Sequence, residues 1–198
     1  MCILFIFMFL VHGFEKQISV FSKNYLPNFA QQITTDAICE AVEAQIDELN
    51  LSYSDLAELN YDDLGTVKSV KTNSPNINLL KAKVTQAAQS ELVKIKHSEM
   101  KIPLGAFTGL SLISNYGPEI GLTFCLTGSF TSRIESSFES AGNNQTIHHI
   151  KLILTSKIVT ASVDYDGEME FDTDFEIAQS IIIGDIPTTY GGYYVPYQ

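Results

Sequence analysis

The sequence is poor in positive charge. Twelve Lys and Arg stand against 23 Asp and Glu, a formal charge of −11 over 198 residues. Neutralising phosphates takes clustered Lys and Arg, and no such patch is present, so a nucleic-acid partner is not expected. Cysteine is scarce too. Cys2, Cys39 and Cys125 lie far apart with no Cys-x-x-Cys pair, which rules out a zinc knuckle or a thioredoxin-like motif. Cys2 has no lipobox before it, and Cys39 and Cys125 fall in apolar patterns where buried free thiols are expected. His148 and His149 are adjacent in an extended pattern and so point to opposite faces. His12 and His97 are isolated, so no metal site is expected. Gly109-Leu110-Ser111-Leu112-Ile113 lacks the glycine that a nucleophile elbow places two residues after serine, and no glycine-rich phosphate loop occurs. No catalytic residue, metal ligand or cofactor site is nominated.

Long apolar runs are missing as well. Met1 to Val11 is almost wholly apolar, yet a membrane span needs about 20 such residues. No basic residue precedes the run, as one would before a signal or anchor segment. Three readings compete: the back half of a transmembrane helix, an atypical signal segment, or a core strand. The first is favoured, with residues 1–15 as an anchor remnant and 16–198 as one domain. At 45% hydrophobic and 18% charged, such a chain is long enough to bury a real core.

What is present is alternation. From Glu168 to Ile177, Met169, Phe171, Phe175 and Ile177 point one way and five carboxylates the other, the signature of a half-buried strand. Thr146 to Ala161 alternates likewise, with Ile150, Leu152, Leu154 and Ile158 on one face, and Phe130, Ile134 and Phe138 line a third segment. Gly142-Asn143-Asn144 and Asp164-Tyr165-Asp166-Gly167 are turn chemistry between them. A meander of long antiparallel strands follows. The carboxylate ladder reads as a solvated face relieved by Lys151, Lys157 or Arg133 rather than a calcium site, since calcium ligands converge from a tight loop.

Elsewhere the period is helical. Phe29, Ile33, Ala37, Val42, Ile46 and Leu49 mark a helix entered at Pro27. A second runs from Ser74 through Leu80, Val84, Ala87, Ala88, Leu92 and Ile95, with its lysines outside, set near the acidic strand face. Between them, Leu56–Leu59 and Thr66–Lys71 flank a short hairpin turn. Lys101 to Ile120, dense in glycine and proline, reads as a structured loop. The fold class is α+β: two amphipathic helices and a hairpin packed on the meander.

Four motifs carry a family resemblance. They are Ile102-Pro103-Leu104-Gly105, then Asn115-Tyr116-Gly117-Pro118-Glu119-Ile120, Gly142-Asn143-Asn144-Gln145-Thr146, and Gly184-Asp185-Ile186-Pro187-Thr188-Thr189-Tyr190. In this order and spacing the chain resembles the YunB-type sporulation proteins of endospore-forming Firmicutes. The resemblance implies a role in spore formation. It also implies one membrane span ahead of the domain, which the short apolar run here departs from. It supplies no catalytic residues. Asn115, Gly117, Pro118, Gly142, Asn144, Gln145, Gly184, Pro187 and Tyr190 are the positions it marks, for backbone geometry or partner binding.

The function expected is therefore a non-enzymatic, membrane-anchored sporulation protein. Its domain would be extracytoplasmic, in the mother-cell or forespore envelope, with other envelope proteins as partners and no cofactor. Two alternatives stand beside it: an apolar-ligand module with a greasy groove under the long sheet, and a cell-wall or spore-coat hydrolase using Asp185, for which spacing nominates no second acid.

Overall fold

The computed structural model describes residues 2–63, 65, 67–108, 110–142, 145–162, 165–183, 189–190 and 193–194. Among the described residues, three helices, α1 (Cys2–Leu49), α2 (Tyr53–Leu56) and α3 (Ser74–Lys94), accompany eight strands. Strands β1 (Ala57–Tyr61), β2 (Val67–Thr72), β7 (Thr189–Tyr190) and β8 (Tyr193–Tyr194) form one sheet in the order β1-β2-β7-β8. The other sheet runs β3-β4-β5-β6, from β3 (His97–Pro103), β4 (Glu119–Gly142), β5 (Gln145–Ser162) and β6 (Tyr165–Ile183). The last three are the expected meander, and the α+β class holds.

The alternation explains the strands. In β5 every even position from Thr146 to Thr160 is buried, including Ile150, Leu152, Leu154 and Ile158. In β6 the alternation holds from Glu168 to Ile177, as expected, and then changes phase. Phe175 and Ile182 are both buried, although seven residues apart they would face opposite sides of a regular strand. The connection before β6 is shorter than its composition implies, because Tyr165, Asp166 and Gly167 already belong to the strand.

Four other expectations change. The first helix does not start after Pro27; α1 runs unbroken from Cys2 with Pro27 inside it. An internal proline costs ~3 kcal/mol through its lost N–H and ring clash, and Leu26 and Ala30 on either side are fully buried, which offsets it. Up to Ile38 the buried row is also one position off the expected face, and Val42 falls on both. Ser22, Leu26, Ala30, Thr34, Ile38 and Val42 are the buried ones, whereas Phe29, Ile33 and Ala37 flank them half-buried. The apolar start is helical, so the core-strand alternative falls. Lastly, β3 is a strand where a loop was expected to begin, because Met100 and Ile102 alternate inward for too few residues to register alone.

The chain divides into two compact units: Met1–Ile38, Ser90–Ser129 and Ser156–Phe171 in one, Cys39–Gln89, Phe130–Thr155 and Asp172–Gln198 in the other. In the first, β3 pairs antiparallel with β4 from His97↔Cys125 to Pro103↔Glu119, and Phe29 of α1 meets Phe124 edge-on at 5.9 Å. Gly128 lets β4 pass so near β5 that a Cβ there would stand 2.1 Å from the Lys157 carbonyl oxygen. In the second, β1 and β2 form the expected hairpin, with a register shift at Asn60/Tyr61. β7 adds to β2 in parallel, with Tyr190 opposite Val70.

α3 buries Leu80, Val84, Ala88 and Leu92 at four-residue steps. In the second unit it is fastened to β4 by Thr85 Oγ1 and Ser132 Oγ, 2.9 Å apart, and by the Ser132 hydroxyl donating to the Lys81 carbonyl. The next residue, Arg133, reaches Asp172 on the other face. The lysine-rich helix therefore does not lie on the carboxylate face, as expected from charge, but on the opposite one.

Leu152 is fully buried in the middle of β5. Leu152→Ala should cost about 2–5 kcal/mol through lost burial and a residual cavity. A thermal melt should fall by on the order of 5–15 °C for a chain of this size; an unchanged midpoint would mean that β5 is not the core.

Candidate functional site

The first candidate region is the loop joining β3 to β4 in the first unit. Two short 3-10 turns, Leu104–Thr108 and Ser111–Ile113, build it. Its mouth is closed by backbone bonds: Leu104 N–H donates to the Pro118 carbonyl and Gly105 N–H to that of Tyr116, both at 2.9 Å. Gly117 has φ +106°, a conformation that favours glycine. Gly105 is needed for space, since a Cβ there would lie 1.8 Å from the Ile113 carbonyl oxygen. Thr108 Oγ1 donates to the Gly105 carbonyl and accepts from Leu110 N–H. The loop's one large buried side chain among those described is Phe107, which meets Phe21 of α1 at 5.3 Å.

The second region is a polar node in the second unit, centred on the fully buried His148. Tyr53 Oη lies 2.6 Å from its Nδ1 and Ser136 Oγ 2.5 Å from its Nε2. Phe138 stacks on the ring at 4.5 Å and Tyr53 meets it edge-on. Burial, aided by the neighbouring His149, pushes the His148 pKa down to about 4, so the ring is neutral at pH 7. A neutral imidazole has one donor and one acceptor nitrogen, and two hydroxyls satisfy both. The Ser–His contact looks like a nucleophile with its base. Such a pair works best with an orienting carboxylate and a base with its pKa near the working pH, and here a neutral tyrosine stands in the orienting place and the ring is a weak base. The arrangement fastens α2 to β4 and β5.

Beside Tyr53 a groove of about 780 Å³ opens along the hairpin, lined among others by Glu58, Leu59, Tyr61, Lys71 and Pro75. The adjoining turn of α2 is capped: Ser52 N–H donates to Asp55 Oδ2 at 2.9 Å, and Asn76 Nδ2 to the Asp55 carbonyl at 2.8 Å. The Ser52 hydroxyl also donates to Asp55 Oδ2, and this bond first, the N–H second, holds the Asp55 carboxyl below its usual range.

The carboxylate ladder is partnered across strands. Arg133 donates to Asp172 Oδ2 at 2.8 Å and to Thr155 Oγ1 at 3.0 Å, and Thr155 donates to Asp172 Oδ1. Those bonds, Arg133 first, keep the Asp172 carboxyl below its usual range. Lys157 pairs with Glu170 at 3.2 Å. His149 Nδ1 lies 2.6 Å from Glu176 and its Nε2 3.5 Å from Glu139, a partner the composition did not single out. Among the described residues, no group of three or more His, Cys, Asp or Glu is arranged to hold a metal.

The nine marked positions scatter over this framework. Asn115, Gly117 and Pro118 share the first loop. Gly142, at φ +75°, and Gln145 flank the turn between β4 and β5, and Tyr190 sits on β7. Asn144, Gly184 and Pro187, like Asp185, lie outside the described residues. Sequence reasoning missed the node of Tyr53, Ser136, Phe138 and His148, because its members are up to 95 positions apart. Only the burial phase of β5 singles out His148.

The described residues define an α+β chain with a three-strand meander and a closed Gly-Pro loop. Residues 99–189 match the family described as Sporulation protein YunB. The chain is also similar to the Sporulation protein YunB of Bacillus subtilis (strain 168), 24% identical over 172 residues, spanning 82% of this chain and 67% of that one. Both matches bear out the YunB-type resemblance of the motifs. No solved structure matches.

Two tests follow from this geometry. Gly105→Ala should lower the melting temperature more than Gly117→Ala, since it collides with backbone, whereas Gly117→Ala meets a strained φ worth about 1–3 kcal/mol. Equal, small losses would mean that the loop is not closed as described. His148 binds its proton far less readily folded than unfolded, with about 4 against 6.5. The unfolded chain takes up the proton first, so stability is complete above pH 6.5 and falls as pH drops from 6.5 to 4. The loss is on the order of 3 kcal/mol. Urea midpoints across that window should slope downward in the native chain and flatten in His148→Gln.

Proposed function

We propose that this chain contributes to endospore formation as a non-enzymatic envelope protein, held at a membrane through the start of α1, with its folded part on the extracytoplasmic side. The similarity to a named sporulation protein over 82% of the chain carries this reading. The motif that begins at Ile102 falls inside the matched region. Among the described residues, no helix is long and apolar enough to cross a membrane; the anchor is proposed from the apolar run Cys2–Val11.

Support for assembly over catalysis comes from the His148 node, whose serine, tyrosine and imidazole satisfy one another with the ring fully buried. Ile150, Leu152 and Leu154 are buried in the same unit, which favours a filled interior over an apolar-ligand channel. The long strands instead offer edges and faces that suit pairing with other chains. In a spore-forming host, deleting the gene should cut the yield of heat-resistant spores and leave vegetative growth unchanged, and the full-length protein should sediment with membranes. A growth defect in rich medium, or a wholly cytosolic product, would refute the proposal.

A further inference from the structure

The loop between β3 and β4 keeps its aliphatic side chains outside. Leu112 is 90% exposed, Leu110 61%, Ile113 41% and Tyr116 71%. They are presented on a fixed frame, because the 3-10 turns and the Leu104–Pro118 and Gly105–Tyr116 backbone bonds set the path. Surface leucines scattered singly need no explanation, but several gathered on one short, closed loop mark a contact surface. Between Lys101 and Glu119 no Asp, Glu, Lys or Arg occurs, the longest such stretch in a chain of charge −11.

We propose that this loop is a second membrane contact, inserting Leu110, Leu112 and Ile113 into the acyl boundary of a bilayer with Tyr116 at headgroup level. The occupant is argued from charge and from placement. An acidic protein is repelled by anionic headgroups, so it can approach them closely only where it carries no charge of its own. Aliphatic tips below a tyrosine are what the interfacial zone accepts. The loop also shares its unit with the apolar start of α1 and touches that helix through Phe107 and Phe21. Phe21 is ten residues beyond Val11, roughly 15 Å along a helix axis, so an obliquely lying α1 brings both apolar segments to one surface. The inference rests on the membrane reading above. It deepens that reading by adding a second contact to the one made by the start of α1.

The chain contains no tryptophan, so Leu112→Trp places a single indole at the loop tip of the full chain. With equimolar phosphatidylglycerol–phosphatidylethanolamine vesicles its emission should move to the blue. Leu110→Ser, Leu112→Ser and Ile113→Ser combined should weaken vesicle partitioning by at least about tenfold, with far-UV circular dichroism and melting unchanged. If the protein is carried down with vesicles while the indole stays at its water-exposed wavelength, the loop proposal fails and the N-terminal anchor stands. If Phe5→Asp with Phe7→Asp leaves binding and the blue shift intact, the loop holds and the N-terminal anchor fails. A blue shift without vesicles, accompanied by a doubled mass, would assign the surface to a second copy of the chain and overturn the proposal. Absence of any vesicle binding by the full chain would overturn both.

Discussion

The long sheet depends on one constraint: every second side chain of β5 is buried across its length, and each needs a partner. Half are aliphatic, and burying Ile150, Leu152, Leu154 and Ile158 stabilises by roughly 1.5–3 kcal/mol each relative to exposure. A one-residue slip of that strand would turn the set to solvent. The strand also carries Thr146, His148, Ser156 and Thr160 inward, and a buried polar group without a hydrogen bond costs about as much as an apolar one gains. At His148 the constraint is met by two hydroxyls and two aromatic faces, and the low pKa of the ring is the electrostatic consequence.

The same alternation divides the chemistry of the sheet's two faces in the second unit. The inward positions of β4 carry Ser132 to α3 and Ser136 to His148. The outward ones carry Arg133 to Asp172 and Thr155. Exposed ion pairs of this kind contribute little to stability individually. They do relieve part of a row of carboxylates that would otherwise repel.

The YunB-type motifs gain a physical meaning once the first loop is seen. Gly105 and Gly117 are there because the loop closes on its own backbone, one for want of space and the other for its positive φ. Asn115 and Pro118 sit in that same closure. The result is a rigid presentation of side chains that the protein's own core does not use, which fits a contact role for a chain similar to a sporulation protein.

Much of the fold was legible because it is periodic. Period-two burial fixed the meander, and four-residue steps fixed α3. Proline chemistry misled at Pro27, where burial of Leu26 and Ala30 outweighed the local penalty, and β3 was too short to announce itself. By itself, the sequence determined the strand faces, the hairpin, the acidic surface and the motif order, since each is a local pattern of side chains along one segment. Tertiary structure alone decided the His148 node, the side of the sheet taken by α3 and the outward aim of Leu110 and Leu112. Those depend on which distant segments meet, and no local period encodes that.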